Sequence, residues 1–188
     1  MRHGTVLFFV LLSFFILANS TIASDLQEGI FGIKWGTNIN DLDNFSKLWS
    51  SSNVDFFTKP HEIHTISDVS VPQVIYGFYT NRFFAVYIKI DTIEVFDDFR
   101  RYMKSKYGIP EQTKQLKSKQ TIYRWKYKDT KIKLKLNSSE NTMKLAFYYT
   151  PLSKKVNEAQ QEKFQKESFK FFPIDKNKTP ELMPLLQF

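Results

Sequence analysis

The 188-residue chain contains no cysteine and little glycine or proline, with 6 Gly and 7 Pro. The absence of cysteine excludes a disulfide scaffold, a thiolate nucleophile and a thiolate metal site. The low glycine and proline content excludes a collagen-like or low-complexity polymer, and a hydrophobic content of 42% excludes an intrinsically disordered chain. The stability of the protein must therefore come from a packed apolar core.

The sequence also lacks the common catalytic motifs. It has no Gly-x-Ser-x-Gly nucleophile elbow, no phosphate-binding P-loop and no His-Glu-x-x-His zinc motif. The one histidine cluster contains His61 and His64, which would face opposite sides of a strand and would lack an obvious third ligand on a helix. We assign no catalytic residue, metal site or cofactor from the sequence. An envelope hydrolase or transferase, with a site that only the fold could reveal, remains an alternative.

Residues 1–23 have the order of a secretory signal peptide. Arg2 and His3 precede an apolar stretch over residues 6–17, and small residues follow, with cleavage predicted after Ser20 or Ala23. The apolar run is shorter than the roughly 20 residues that span a bilayer, which disfavours a permanent anchor. The sequence therefore predicts a periplasmic or secreted protein, and the absence of cysteine favours a bacterial envelope.

Hydrophobic periodicity predicts one α+β domain over residues 24–152, a C-terminal helix over 153–171 and an irregular tail over 172–188. Further helices are predicted at 38–49 and 92–107, the second between a Thr92 N-cap and Gly108. The main predicted strands are 74–79, 82–90, 121–128, 131–136 and 142–149. Consecutive strands with short connections indicate an antiparallel meander, so we expect a two-layer sandwich with two or three helices on one face.

Two details of the strand prediction concern individual side chains. A tight turn at Thr80 and Asn81 is expected between the strands at 74–79 and 82–90, because asparagine tolerates left-handed backbone. Simple alternation along residues 82–90 predicts that Phe84 shares a face with Val86, whereas Phe83 lies on the opposite face.

Residues 121–136 form the most informative pattern, because aromatic or aliphatic residues alternate strictly with basic ones. The predicted hairpin places six cations on one sheet face, which makes them the candidate anion-binding residues. They are Arg124, Lys126, Lys128, Lys131, Lys133 and Lys135. A two-residue loop at Asp129 and Thr130 would pair Lys128 with Lys131, Lys126 with Lys133 and Arg124 with Lys135. Each like-charged pair would destabilise the sheet by about 0.2–1 kcal/mol.

The charge of the chain is concentrated around this hairpin. Residues 100–135 contain 13 basic and 2 acidic side chains, an excess larger than the net charge of +8 for the whole chain. A lysine-rich face of this kind can simply be solvated, or it can bind an anionic lipid, an anionic polymer or an acidic protein surface. Nucleic acid is disfavoured, because the aromatic residues of the hairpin point to the opposite face and cannot stack on bases beside the cations.

The C-terminal tail offers a further alternative function. Phe171, Phe172 and the apolar residues at 182–188 could dock on a partner and make the protein a structural accessory subunit.

Two short segments carry a resemblance to known proteins. The sequence GIFGIKWGT at residues 29–37 is followed, after a long interval, by YGIP at residues 107–110 before the aromatic hairpin. In these features the chain resembles a loose group of small exported bacterial proteins of unknown function. The resemblance implies a small α+β envelope domain and carries over no catalytic residue. Gly32 and Gly36 can form bends on either side of Trp35, which we expect to anchor the core.

Overall fold

The computed structural model of the chain describes residues 26–116 and 119–170, with side chains described as far as residue 162. The predicted signal peptide and the predicted irregular tail lie outside the described residues, as do Phe171 and Phe172. No helix in the described part is long and apolar enough to cross a membrane.

The described residues form twelve β-strands, two α-helices and one short 3-10 turn. The strands are β1 Gly29–Ile30, β2 Ile33–Lys34, β3 Ser46–Ser51, β4 Val54–Thr58, β5 His64–Ile66, β6 Val69–Val71, β7 Val74–Tyr79, β8 Arg82–Ile90, β9 Glu111–Gln115, β10 Gln120–Tyr127, β11 Thr130–Asn137 and β12 Thr142–Tyr149. The helices are α1 Ile93–Tyr107 and α2 Thr150–Lys170, and the 3-10 turn is Ile39–Asp41.

Eight of the described strands form one antiparallel sheet, which we call the main sheet, in the order β3-β4-β7-β8-β12-β11-β10-β9. The predicted α+β class and antiparallel meander are confirmed. Thr80 and Asn81 have positive φ angles of 45° and 63°, and they form the expected tight turn between β7 and β8. Two small hairpins, β1–β2 and β5–β6, complete the described strands.

The larger core lies on one face of the main sheet, which we call the α1 face. Phe96, Phe99 and Met103 of α1 are buried in the same cluster as Ile132 and Leu134 of β11. Helix α1 begins where predicted, with the Val95 amide donating to the Thr92 hydroxyl at 3.4 Å, and ends at Gly108, whose φ of 85° suits glycine. This contact between helix and sheet fixes which side of β11 is buried.

Helix α2 packs on the opposite face of the main sheet, which we call the α2 face. Val156 of α2 is buried against Val54, Phe56, Phe84 and Ala85. The two helices therefore lie on opposite faces of the main sheet, and the expectation that all helices lie on one face is wrong. The reason is that β4 and β8 expose a second apolar patch, which needs a cover of its own. The predicted C-terminal helix is present and begins at Thr150.

A β-bulge in β8 supplies part of that second patch. Gly77 pairs with Ala85 and Phe78 pairs with Phe83, so Phe84 is an extra residue between the two pairs. Phe83 consequently belongs to the α1-face core and Phe84 to the α2-face core, the reverse of their predicted positions. Simple alternation fails here because an inserted residue exchanges the faces on one side of the bulge.

The predicted helix at residues 38–49 is wrong. The segment instead contains the 3-10 turn at Ile39–Asp41, which Asn38 caps, and then enters strand β3. Asn44 has a φ of 64°, a left-handed conformation that cannot continue a helix. Ile39, Leu42 and Phe45 do pack against the core. Their spacing therefore identified core-facing residues correctly, although the segment is not a helix.

Trp35 is the core anchor that its position between two glycines predicts. Its ring stacks on Phe83 and on Tyr149, with centroid distances of 4.8 and 5.9 Å, and its indole donates to the Leu26 carbonyl at 3.0 Å. Gly32 and Gly36 have φ angles of 76° and 81°, which strain any side chain larger than hydrogen. The N-terminal segment thereby packs on the main sheet at β8 and β12.

Candidate anion-binding face

The basic hairpin is present, but its turn is one residue earlier than predicted. Tyr127 pairs with Thr130, so the two-residue loop consists of Lys128 and Asp129. Thr130 is fully buried in the strand, and its hydroxyl donates to the Leu26 carbonyl at 2.9 Å. A β-branched residue with this buried hydrogen bond is better placed in a strand than in a loop. The predicted pairing is therefore wrong by two residues.

The corrected register keeps the cations on one face, because a shift of two residues preserves the side-chain alternation. Lys126 lies opposite Lys131, Arg124 lies opposite Lys133, and Lys135 lies opposite Ile122. The face is the α2 face, since Ile132 and Leu134, the alternate residues of β11, are buried on the other side. Five of the six predicted anion-binding residues therefore share one surface.

Lys128 is the predicted site residue that leaves this surface. It occupies the loop with a φ of 49°, its amine donates to the Gln27 side chain, and it lies 5.9 Å from the centre of the Tyr127 ring. Tyr127 packs against the α1-face core. We therefore remove Lys128 from the candidate site.

Two further lysines join the surface from strands that the hairpin does not include. Lys135 of β11 lies opposite Lys144 of β12, and Lys144 lies opposite Lys89 of β8. Three lysines thus form a continuous row across three adjacent strands. The sequence analysis missed Lys89 and Lys144, because their position depends on the pairing of β8 with β12, which are separated in the chain by a helix and three strands.

We call these seven residues the basic face. They are Lys89, Arg124, Lys126, Lys131, Lys133, Lys135 and Lys144. In four of the pairings the opposed residues are both cationic. Each such pair destabilises the sheet by about 0.2–1 kcal/mol, least where solvent screens the charges.

The central lysines of the basic face are not simply solvated. Lys135 is only 8% exposed, and burial together with Lys144 lowers the pKa of its amine, an effect that Glu140 partly opposes. Burial also lowers the pKa of the Lys133 amine, and Arg124, Lys131 and Lys135 lower it further. The Lys133 amine lies 5.2 Å from the centre of the Tyr148 ring. The charged forms of both lysines are thus less stable here than in water.

Acidic residues lie at the margins of the basic face. Glu111 comes within 3.8 Å of Arg124, whose guanidinium also donates to Thr113 at 2.6 Å, and Asp91 pairs with Lys89 at 3.0 Å. Both acidic side chains are largely exposed, at 77% and 75%. Exposed ion pairs of this kind contribute little free energy, so they leave the basic face able to bind another anion.

The histidine cluster does not form a metal site. His64 lies in β5, where its ring stacks on Phe31 at 4.0 Å and its Nε2 is 2.6 Å from the Tyr76 hydroxyl and 3.5 Å from Glu62. His61 is exposed in the preceding turn. Among the described residues, no three His, Asp or Glu side chains come close enough to hold a metal ion. His64 is thus a half-buried packing residue.

Comparisons with known proteins yielded no relatives. No family model, no curated protein and no solved structure matches the chain.

Replacement of Lys144 by Glu should stabilise the protein. Lys144→Glu turns two like-charged pairs, with Lys89 and Lys135, into opposite-charged pairs, so the free energy of unfolding in urea should rise by about 1 kcal/mol at low salt. Lys114→Glu is the matched control, because Lys114 is exposed, lies opposite Thr121 and belongs to the α1 face. A loss of stability in Lys144→Glu, or an equal gain in the control, would show that the lysine row is not electrostatically strained.

The stability of the protein should depend on the protonation of His64. Burial is the main cause that lowers the pKa of this imidazole below its ordinary value of 6.5, with Lys59 adding to the effect and Glu62 opposing it. The unfolded chain then binds the proton more readily, so stability should fall as the pH drops through 6.5 toward the lower folded-state pKa. In His64→Gln this dependence should vanish. Urea unfolding of both proteins at several pH values provides the check, and parallel stability profiles would contradict it.

Proposed function

We propose that the protein is exported to the bacterial envelope or secreted, and that it acts without catalysis by binding an anionic surface through the basic face. The observation that carries this proposal is the row of Lys89, Lys144 and Lys135 across three adjacent strands, which continues into the cations of β10 and β11. The localisation comes from the signal-peptide pattern of residues 1–23.

The burial of the central lysines favours binding over simple solvation. A lysine that only keeps a sheet soluble extends into water and keeps its full hydration. Lys135 is instead nearly buried, and Lys133 is half-buried beside three other cations. An anion placed over these amines would offset both the lost hydration and the mutual repulsion.

The shape of the basic face favours a lipid surface among the anionic partners. Its cations come from four neighbouring strands, β8, β12, β11 and β10, which together cover about 14 Å across the sheet. A two-dimensional array of charges matches a layer of headgroups better than it matches a single linear polymer. Nucleic acid is further disfavoured, because Trp125 of the hairpin is buried in the α1-face core and unavailable for stacking.

The test is binding to vesicles that contain phosphatidylglycerol. In one triple variant the exposed lysines of the basic face are reversed, by Lys89→Glu, Lys126→Glu and Lys144→Glu. Each lysine near an anionic membrane contributes about 1 kcal/mol, so the dissociation constant should rise at least tenfold at low salt. Lys133 and Lys135 are left intact because a buried carboxylate there could unfold the protein.

A second triple variant of equal charge is the control. Lys34, Lys104 and Lys114 are exposed and lie on β2, α1 and β9, away from the basic face, so their reversal to Glu should raise the dissociation constant less than threefold. Equal weakening by both variants would mean that net charge alone drives binding, and the proposal would then fail. Binding to heparin or an acidic protein but not to vesicles would replace the lipid by that partner.

A further inference from the structure

A cavity of about 310 Å³ lies between α2 and the main sheet, next to the basic face. Its lining residues come from both sides. On the sheet they belong to β4, β8, β12 and β11, and on α2 they lie between Ser153 and Gln160. This volume is at the lower end of the range for small-molecule sites.

The cavity is chemically different at its two ends. Val54 and Phe56 come from β4, whereas Lys131 and Lys133 come from β11. These strands are four positions apart in the sheet order, which corresponds to a separation of about 19 Å. The cavity is therefore elongated across the strands, with an apolar end and a cationic end.

The helix side of the cavity is polar along one line. Ser153, Asn157 and Gln160 are spaced by four and three residues, so they lie on one face of α2. Val156 packs instead into the apolar cluster with Phe56 and Phe84. The helix thus contributes one apolar side chain and three hydrogen-bonding side chains to the wall of the cavity.

The cationic end combines a buried hydroxyl with a lysine amine that lies near other cations. The Tyr148 hydroxyl is buried and has no hydrogen-bond partner among the described residues. A buried hydroxyl without a partner loses its hydration without compensation, so it destabilises the folded protein. The neighbouring amine of Lys133 is desolvated and crowded by other cations, which lowers its pKa. A carboxylate could accept hydrogen bonds here and stabilise the charged form of the lysine.

We propose that this cavity binds a small amphipathic anion, with a linear apolar chain against Phe56 and Phe84 and an anionic head at Lys131 and Lys133. The inference shares these two lysines with the proposed function, but it concerns the cavity between α2 and the main sheet rather than the open basic face. The two lysines match the charge of an anionic head group. The length and the apolar end of the cavity match a linear apolar chain.

Calorimetric titration with three matched probes tests the proposal on the purified protein at 0.15 M salt. Octanoate has both the head and the chain, 1-octanol has the chain without the charge, and acetate has the head without the chain. Octanoate should bind with one-to-one stoichiometry, and the two controls should each bind at least tenfold more weakly. Equal binding of octanoate and 1-octanol would overturn the proposed cationic end, and no binding of octanoate would overturn the site.

Two single variants locate the ligand. Val156→Trp should fill the apolar end and abolish octanoate binding, and far-ultraviolet circular dichroism confirms that this variant is folded. Lys133→Met keeps a similar volume and should weaken octanoate at least tenfold while leaving 1-octanol unchanged. If a folded Val156→Trp and Lys133→Met both bind octanoate as the parent does, the ligand lies elsewhere and the proposal is wrong.

The double variant with Lys89→Glu and Lys144→Glu separates this site from the basic face. Neither lysine lines the cavity or lies opposite a lysine that does, so octanoate affinity should stay within threefold of the parent while vesicle binding falls. Loss of vesicle binding with no octanoate binding in the parent would refute the cavity alone. Octanoate binding by a protein that does not bind vesicles would refute the proposed function alone.

Discussion

Ile132 and Leu134 of β11 are fully buried beneath α1, and this burial determines the chemistry of the whole opposite face. Side chains of a strand alternate, so residues 131, 133 and 135 must face the other way once these two are in the core. Since each of those three is lysine, the packing of the α1 face forces the cations together. The partner strands then bring Arg124, Lys126 and Lys144 opposite them. Moving the register by one residue would bury lysine and expose the core, so the basic face cannot disperse without unfolding the sheet.

The second constraint is the cover that α2 provides. The bulge at Phe84 and the side chains of Val54 and Phe56 in β4 create an apolar patch beside the basic face, and α2 packs on this patch through Val156. The helix covers these apolar residues. A cationic surface and a cavity therefore lie side by side, with Lys131 and Lys133 bordering both. This adjacency is the physical basis of both proposals, an anionic surface bound at the basic face and an amphipathic anion bound in the cavity.

Local patterns in the sequence predicted those features that depend on neighbours in the chain. The strict alternation of residues 121–136 placed five cations on one face, and the caps at Thr92 and Gly108 placed α1 correctly. Features decided by distant contacts were missed. Lys144 joins the row only because β12 pairs with β11 and β8, and Thr130 enters the strand because its hydroxyl reaches Leu26. The helix expected at 38–49 failed because apolar spacing of three or four residues also suits a 3-10 turn, and Asn44 then takes a left-handed conformation.

The central claim is that the basic face holds lysines whose charge is unfavourable until an anion covers them. The most direct measurement is a titration of the Lys133 and Lys135 side chains by carbon-13 nuclear magnetic resonance at their Cε atoms, in the free protein and with phosphatidylglycerol vesicles. The account predicts that both amines have a pKa below the ordinary value of 10.5 in the free protein, and that this pKa rises when vesicles are added. If both lysines titrate at the ordinary value and vesicles leave them unchanged, the basic face is a solvated surface and the account is wrong.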